Sequence, residues 1–259
     1  MTDLQFLRCH TDGAVATVEL SRPPVNAVNV ATYREIRRVF SHPELLGRQV
    51  RVVVLAGSGK HFCAGNDLEE FESMNSDSAR QHMFEAREAF DAVYSCPVPV
   101  VGAVHGVALG TGLVLAACCD FVVAEQDARF GLPELSVGVA GGVTHLARLV
   151  PQNIARMMFF TSEPVLASLL FDRGGICKIV PSGGAMAAAR ELAARVAAHS
   201  PAALRHAKRV LNDVEFVDLR RGYEMEQKVT AMLSDHPDSK EALRAHRERR
   251  APVYSEWGD

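Results

Sequence analysis

The stretch PVVGAVHGVALGTG, Pro99 to Gly112, sets the fold class of this chain. Val98 to Val104 (VPVVGAV) has the branched apolar character of a strand, and His105 to Gly112 is a glycine-rich loop. Leu113 to Cys119 then reads as a buried helix. Arg51 to Leu55 (RVVVL) starts a similar unit. It is a strand apolar on both faces, which implies a sheet covered on both sides. The turn-rich AGSGKHFCAGN of Ala56 to Asn66 follows it.

Outward from these two units, Ala14 to Leu20 (AVATVEL) is a strand stopped by Ser21-Arg22-Pro23-Pro24, and Phe121 to Ala124 is another. Helical spacing marks 29–41, where Tyr33, Ile36, Arg37 and Phe40 recur, and 78–94, which stops before Pro97. Beyond residue 140 the segments 143–150, 152–160, 165–171, 183–199, 201–213 and 218–234 read as helices. Ile176 to Val180 is the one β-type run there. Strands crowd the first half and helices the second, so the class is α/β with a helical C-terminal region.

At 259 residues, 48% apolar and 23% charged, the chain fits one large domain or a domain with a helical appendage. A net charge of −3 leaves no basic field for nucleic acid or an anionic membrane. Arg244, Arg247, Arg249 and Arg250 alternate with Glu241 and Glu248, as on a solvated helix face. Met1-Thr2-Asp3-Leu4 has no basic segment ahead of an apolar core, so no secretory signal is expected. The longest apolar stretch, Pro97 to Cys119, is broken by His105 and four glycines, so no membrane span is expected. Cys9, Cys63, Cys96, Cys118, Cys119 and Cys177 form no CxxC pair and no metal-ligand spacing. Reduced, mostly buried thiols and a cytoplasmic location are the expectation.

Three elements can carry chemistry. His61 to Leu68 (HFCAGNDL) and His105 to Gly112 (HGVALGTG) each follow a strand. Small residues at such a turn let a ligand approach the backbone and leave N–H groups unpaired. Two of them aimed at one spot stabilise a developing oxyanion. Composition alone fits two ordinary tight turns as well. Gly110-Thr111-Gly112 is no dinucleotide fingerprint, because the GxGxxG spacing is missing. The third element, Ala128 to Leu135 (ARFGLPEL), sets Glu134 among apolar and small residues. Desolvated there, its carboxyl would have a raised pKa suited to general acid/base work. An exposed glutamate at a loop end is the alternative from local sequence.

In order and spacing, FCAGNDL, PVVGAVHGVALGTG, Cys119-Asp120 and ARFGLPEL with Gly141-Gly142 together resemble the crotonase superfamily, the enoyl-CoA hydratase/isomerase family. The likeness runs from about Val15 to about His199. It implies a spiral of ββα units over residues 1–200 that binds acyl-CoA. It also implies a C-terminal helical region over 201–259 that builds a homotrimer or a dimer of trimers. Coenzyme A would arrive as part of the substrate, with no metal and no redox cofactor. The thioester oxygen would accept bonds from the backbone N–H groups of Asn66 and Thr111, positions where the family more often has Ala and Gly. Val25 and Ala27 fall on the substrate-side loop that begins at Arg22, and Ala64, Asp67, Leu68, Gly110, Pro133 and Gly142 match further substrate contacts.

The chain departs from the pattern in ways that bear on the reaction. Hydratases of the family use two glutamates; the second is present as Glu134, but the first position is Val114, which cannot transfer a proton. The stretch from Glu134 to Gly141-Gly142 is shorter than usual, and Asp172 to Ile176 is longer. Asp67 and Asp120 read as structural, Glu69 and Glu70 as a solvated helix face, and His105 and His145 as satisfied histidines. Cys118 and Cys119 have no base nearby in sequence. One carboxylate is enough to move a proton on an enolate, so the chain is expected to shift a double bond in an enoyl-CoA. Hydration, thioester hydrolysis or decarboxylation, and low-turnover acyl-CoA binding are the alternatives.

Overall fold

The computed structural model describes residues 4–255. Met1 to Asp3, read above for a signal, and positions 256–259 of the C-terminal region lie outside the described residues. The strands are β1 (Leu7–Asp12), β2 (Val15–Leu20), β3 (Val52–Gly57), β4 (Val100–Val104), β5 (Val107–Leu109), β6 (Phe121–Glu125), β7 (Arg129–Gly131), β8 (Val165–Leu166) and β9 (Lys178–Val180). A six-stranded sheet has the order β1-β2-β3-β4-β6-β9, antiparallel only at the β1–β2 hairpin. A second sheet, β5-β7-β8, is extended by the parallel bridges Cys63↔Ala108 and Val28↔Asn66. Each circuit thus lays one strand in the large sheet and a short one in the second layer before a helix returns. This is the ββα spiral the sequence resemblance implies.

The helices are α1 (Val30–Ser41), α2 (Leu68–Glu72), α3 (Ser76–Tyr94), α4 (Thr111–Cys118), α5 (Val143–Leu146), α6 (Gln152–Thr161), α7 (Ala167–Asp172), α8 (Ala185–Ala197), α9 (Pro201–Val214), α10 (Leu219–Ser234) and α11 (Pro237–Glu248). All six residues of β3 are buried. Val53 and Leu55 join the core shared with α1, α3 and α4, while Val52, Val54 and Ala56 face α8. Helix α8 meets the sheet through Ala185, Ala188, Ala189, Ala193 and Ala197, whose small side chains let the two backbones come close.

Several expectations are corrected. The segment 165–171 opens with strand β8 before helix α7, and the loop 105–112 contains strand β5. Strands of two or three residues carry no period to read. Strand β1 was missed because it alternates polar residues on a sheet edge. Glu241 is not on a solvated face: it is buried and accepts bonds from Arg244, from Arg250 (2.5 Å) and from the Val253 N–H (3.0 Å). Glu70 likewise accepts a bond from the Val30 N–H (3.0 Å) and faces the buried His82. Four cysteines are buried, but Cys177 is exposed. Among the described residues no helix is long and apolar enough to cross a membrane.

Candidate active site

The three elements converge at the end of the large sheet. Strand β3 ends in Gly57, and the chain then enters the second layer, where the Cys63 N–H donates to Val107 O (3.0 Å) and Leu109 N–H to Cys63 O (3.0 Å). On the other side, the Val28 N–H bonds Gly65 O (2.8 Å) and the Asp67 N–H bonds Val28 O (2.9 Å). Both pairings bypass the Asn66 N–H. Thr111 opens α4, where first-turn N–H groups have no intrahelical acceptor. Gly112 makes this junction possible: a Cβ there would meet Cys63 O at 2.3 Å.

The Arg22–Ala27 loop is clipped over the first element. Asn26 Nδ2 donates to Ser58 O and His61 O (both 2.8 Å), and Ala64 N–H donates to Val25 O (3.1 Å). Asp67 caps α2 by accepting from the Glu69 and Glu70 N–H groups, and it pairs with Arg22. Its carboxyl lies below the usual range: burial pushes it up, but the N–H bonds and the Arg22 guanidinium outweigh that.

Glu134 sits in a 3₁₀ turn, Pro133–Val137, that brings its carboxyl over Gly110. Its Oε2 is buried without a hydrogen-bond partner, and burial raises its pKa. Two cavities, of about 880 and 590 Å³, both reach Glu134 and Asn66. The larger is also lined by Thr111, Val114 and Gly142; the smaller by Val25, Ala27, Ala64, Asp67, Gly110 and Pro133. Leu68 lines both. Every catalytic, oxyanion and substrate-side residue that the sequence resemblance implies therefore borders one or both of these cavities.

Other residues take no part. Asp120 lies outside both cavities, accepting from the Val100 N–H (2.7 Å) and from Lys208 Nζ (2.8 Å). The His105 ring pairs with Gly59 O (3.0 Å), and His145 packs edge-on against Phe90. Cys118 and Cys119 are fully buried, and burial raises both thiols.

Two features escaped the sequence reading. Tyr33 is buried, with its hydroxyl 2.5 Å from Asn66 Oδ1 and 2.7 Å from Thr111 Oγ1. A tyrosine on an apolar helix stripe is the signal, since a buried phenol seeks a partner. Met83, Ala86 and Phe90 of α3 and Glu72 of α2 also line the larger cavity. Nothing in a local pattern points across the fold to them.

The enoyl-CoA hydratase/isomerase family model matches residues 10–257. A Rhodococcus jostii protein named as a (7aS)-7a-methyl-1,5-dioxo-2,3,5,6,7,7a-hexahydro-1H-indene-carboxyl-CoA hydrolase is 37% identical, over 86% of this chain and 87% of its own length. A short-chain-enoyl-CoA hydratase of Clostridium acetobutylicum is 32% identical, over 92% of this chain and 93% of its own. Among solved structures, DspI of Pseudomonas aeruginosa superposes with a TM-score of 0.93 at 30% identity, covering 98% of each chain. An enoyl-CoA hydratase of Bacillus anthracis superposes with 0.91 at 30% identity, covering 97% of this chain and all of the other. The chain belongs to the enoyl-CoA hydratase/isomerase family of the crotonase superfamily and is an enzyme of that family.

Proposed function

We propose that the chain acts on a bulky acyl-CoA thioester through its enolate, with Glu134 as proton carrier and the N–H groups of Asn66 and Thr111 as oxyanion donors. The supporting observation is the Glu134 carboxyl, unpaired at Oε2 and raised by burial at the seam of two cavities. The smaller cavity takes the thioester end against Val25, Ala27, Ala64, Asp67, Gly110 and Pro133; the larger takes the acyl group beside Val114 and Gly142. Glu134 takes a proton from carbon, the electron pair moves into the thioester carbonyl, and the same carboxyl returns the proton at a different carbon. The outcome is a double-bond shift. By the sequence resemblance a hydratase holds its water with a second glutamate, and Val114 stands at that position here; Glu72 lines the larger cavity but is exposed at the end of α2.

A second reading is favoured by the Rhodococcus relative, whose name describes a dioxo-indene-carboxyl-CoA hydrolase, and by the 880 Å³ of mainly apolar space. Glu134 would take a proton from water as the water adds to an oxo carbon. The bond from that carbon to the alpha carbon breaks, its electron pair enters the thioester enolate, and Glu134 returns the proton to the alpha carbon. One carboxylate balances this reaction too. Product identity separates the two: a shifted double bond, or a new carboxylic acid still attached as, or released from, an acyl-CoA. In either case Glu134→Gln should lower turnover about 10²–10⁴-fold. Unchanged turnover would remove Glu134 from the role.

The C-terminal helices and the turn between α9 and α10 present Leu211, Phe216, Leu219, Tyr223 and Met232 to solvent. Association into a trimer or dimer of trimers through this apolar surface is part of the same proposal, and light scattering on the purified chain tests it.

A further inference from the structure

The polar side chains of Asn66 and Thr111 form a closed set with Tyr33. The Tyr33 hydroxyl is 2.5 Å from Asn66 Oδ1 and 2.7 Å from Thr111 Oγ1, and Thr111 Oγ1 is 3.1 Å from Asn66 Oδ1. Two hydroxyls supply two protons. The phenol donates to the Asn66 carbonyl, and the Thr111 hydroxyl donates to the same carbonyl or to the phenol oxygen. Burial keeps the phenol protonated at neutral pH. The set thereby fixes the Asn66 carboxamide with its oxygen turned into the protein. Its Nδ2 then carries two N–H bonds that no described residue accepts, on a residue that borders both cavities.

We propose that the Asn66 carboxamide is a second reading group of the site, donating from Nδ2 to an oxygen on the acyl chain, so that the substrate class is an acyl thioester with an oxo or hydroxyl group beta to the thioester carbon. This rests on the placement of the thioester oxygen at the Asn66 backbone N–H, as proposed above. The backbone donor and the side-chain donor belong to one residue, so their two acceptors must be near neighbours on the substrate. A 1,3-pair of oxygens satisfies that, and a hydrocarbon acyl chain leaves the Nδ2 donor without an acceptor, at the usual cost of an unmet polar group. Tyr33 is a positioning residue here: its hydroxyl reaches the carboxamide and the Thr111 hydroxyl, while its ring packs against His82 and Phe90.

Calorimetric binding of acetoacetyl-CoA and butyryl-CoA tests this, because the two probes differ only in the second oxygen. Asn66→Asp keeps the acceptor for Tyr33 and Thr111 and removes the donor; Asn66→Ala removes both and keeps the backbone N–H. The ratio of acetoacetyl-CoA to butyryl-CoA affinity should fall about tenfold or more in each variant relative to the unmodified chain. An unchanged ratio in both variants, with binding of both thioesters retained, overturns the inference and leaves the enolate reading standing. Loss of both probes from the unmodified chain would instead defeat the placement of the thioester and with it this inference.

Discussion

A Cβ on Gly110 would lie 2.8 Å from Oε1 of Glu134, so the carboxyl occupies space that only glycine leaves open. Gly110 also has φ +51, where a side chain is strained. Gly110→Ala should therefore displace the carboxyl and strain the turn together. The expected outcome is a loss of about 1 kcal/mol or more in stability and a fall in turnover on enoyl-CoA larger than any change in KM. Denaturant melts and steady-state kinetics check it. A variant with full kcat would show that Glu134 does not need its present position.

The pH profile follows from the burial of Glu134. Its pKa is raised from the ordinary 4.5, so the carboxylate needed to take a proton forms only above that value. The acid limb of kcat should lie above 4.5. The stability effect has the opposite sense to that of an ion-paired carboxylate. Between the unfolded and folded pKa values the folded chain holds the extra proton, so stability falls as pH rises through this window. Glu134→Gln should leave stability unchanged well below 4.5 and raise it above the folded pKa. Urea melts across pH decide the sign.

Val114 is 3% exposed and lines the larger cavity, and a Cβ on Gly142 would come within 3.1 Å of its Cγ2. Val114→Glu places a second carboxyl at the position where the sequence resemblance implies a hydratase's other glutamate. Overpacking there should cost about 1–3 kcal/mol, and desolvation should raise the new carboxyl's pKa. In return, hydration of crotonyl-CoA should rise at least tenfold over the unmodified chain, followed by loss of enoyl absorbance. If the variant folds and gains nothing, the reacting carbons do not lie beside position 114.

What the sequence carried well was whatever has a period or a motif. RVVVL, VPVVGAV and the alanine-rich 185–198 announced the large sheet and its covering helix. Asn66, Thr111 and Glu134 were placed by motifs and do border one region. The second layer was illegible, because β5, β7 and β8 are two or three residues long and exist only through pairing with each other. Tyr33 was read only as part of a helix stripe; its partners are 33 and 78 positions away, which no local window spans. The same holds for Glu241, whose burial depends on Arg250 and Val253 folding back on it.

Lys208 shows how the C-terminal helices are tied to the core. Its Nζ lies 2.8 Å from both oxygens of Asp120, the side chain is 3% exposed, and Asp120 also accepts from the Val100 N–H at the start of β4. Helix α9 is thus locked to the edge from which β4 enters the sheet. Lys208→Met keeps the length and apolar stem but leaves the half-buried Asp120 carboxylate with only the backbone N–H. Removing one member of a fully buried pair costs about 3–5 kcal/mol; with Asp120 only half-buried the loss should fall below that, at about 1–3 kcal/mol, and the double change with Asp120→Asn should recover part of it. Turnover per folded molecule should stay unchanged, since neither residue borders the two cavities. If Lys208→Met costs less than about 1 kcal/mol, the typical value of an exposed pair, α9 is held by its apolar contacts and the ion pair is incidental.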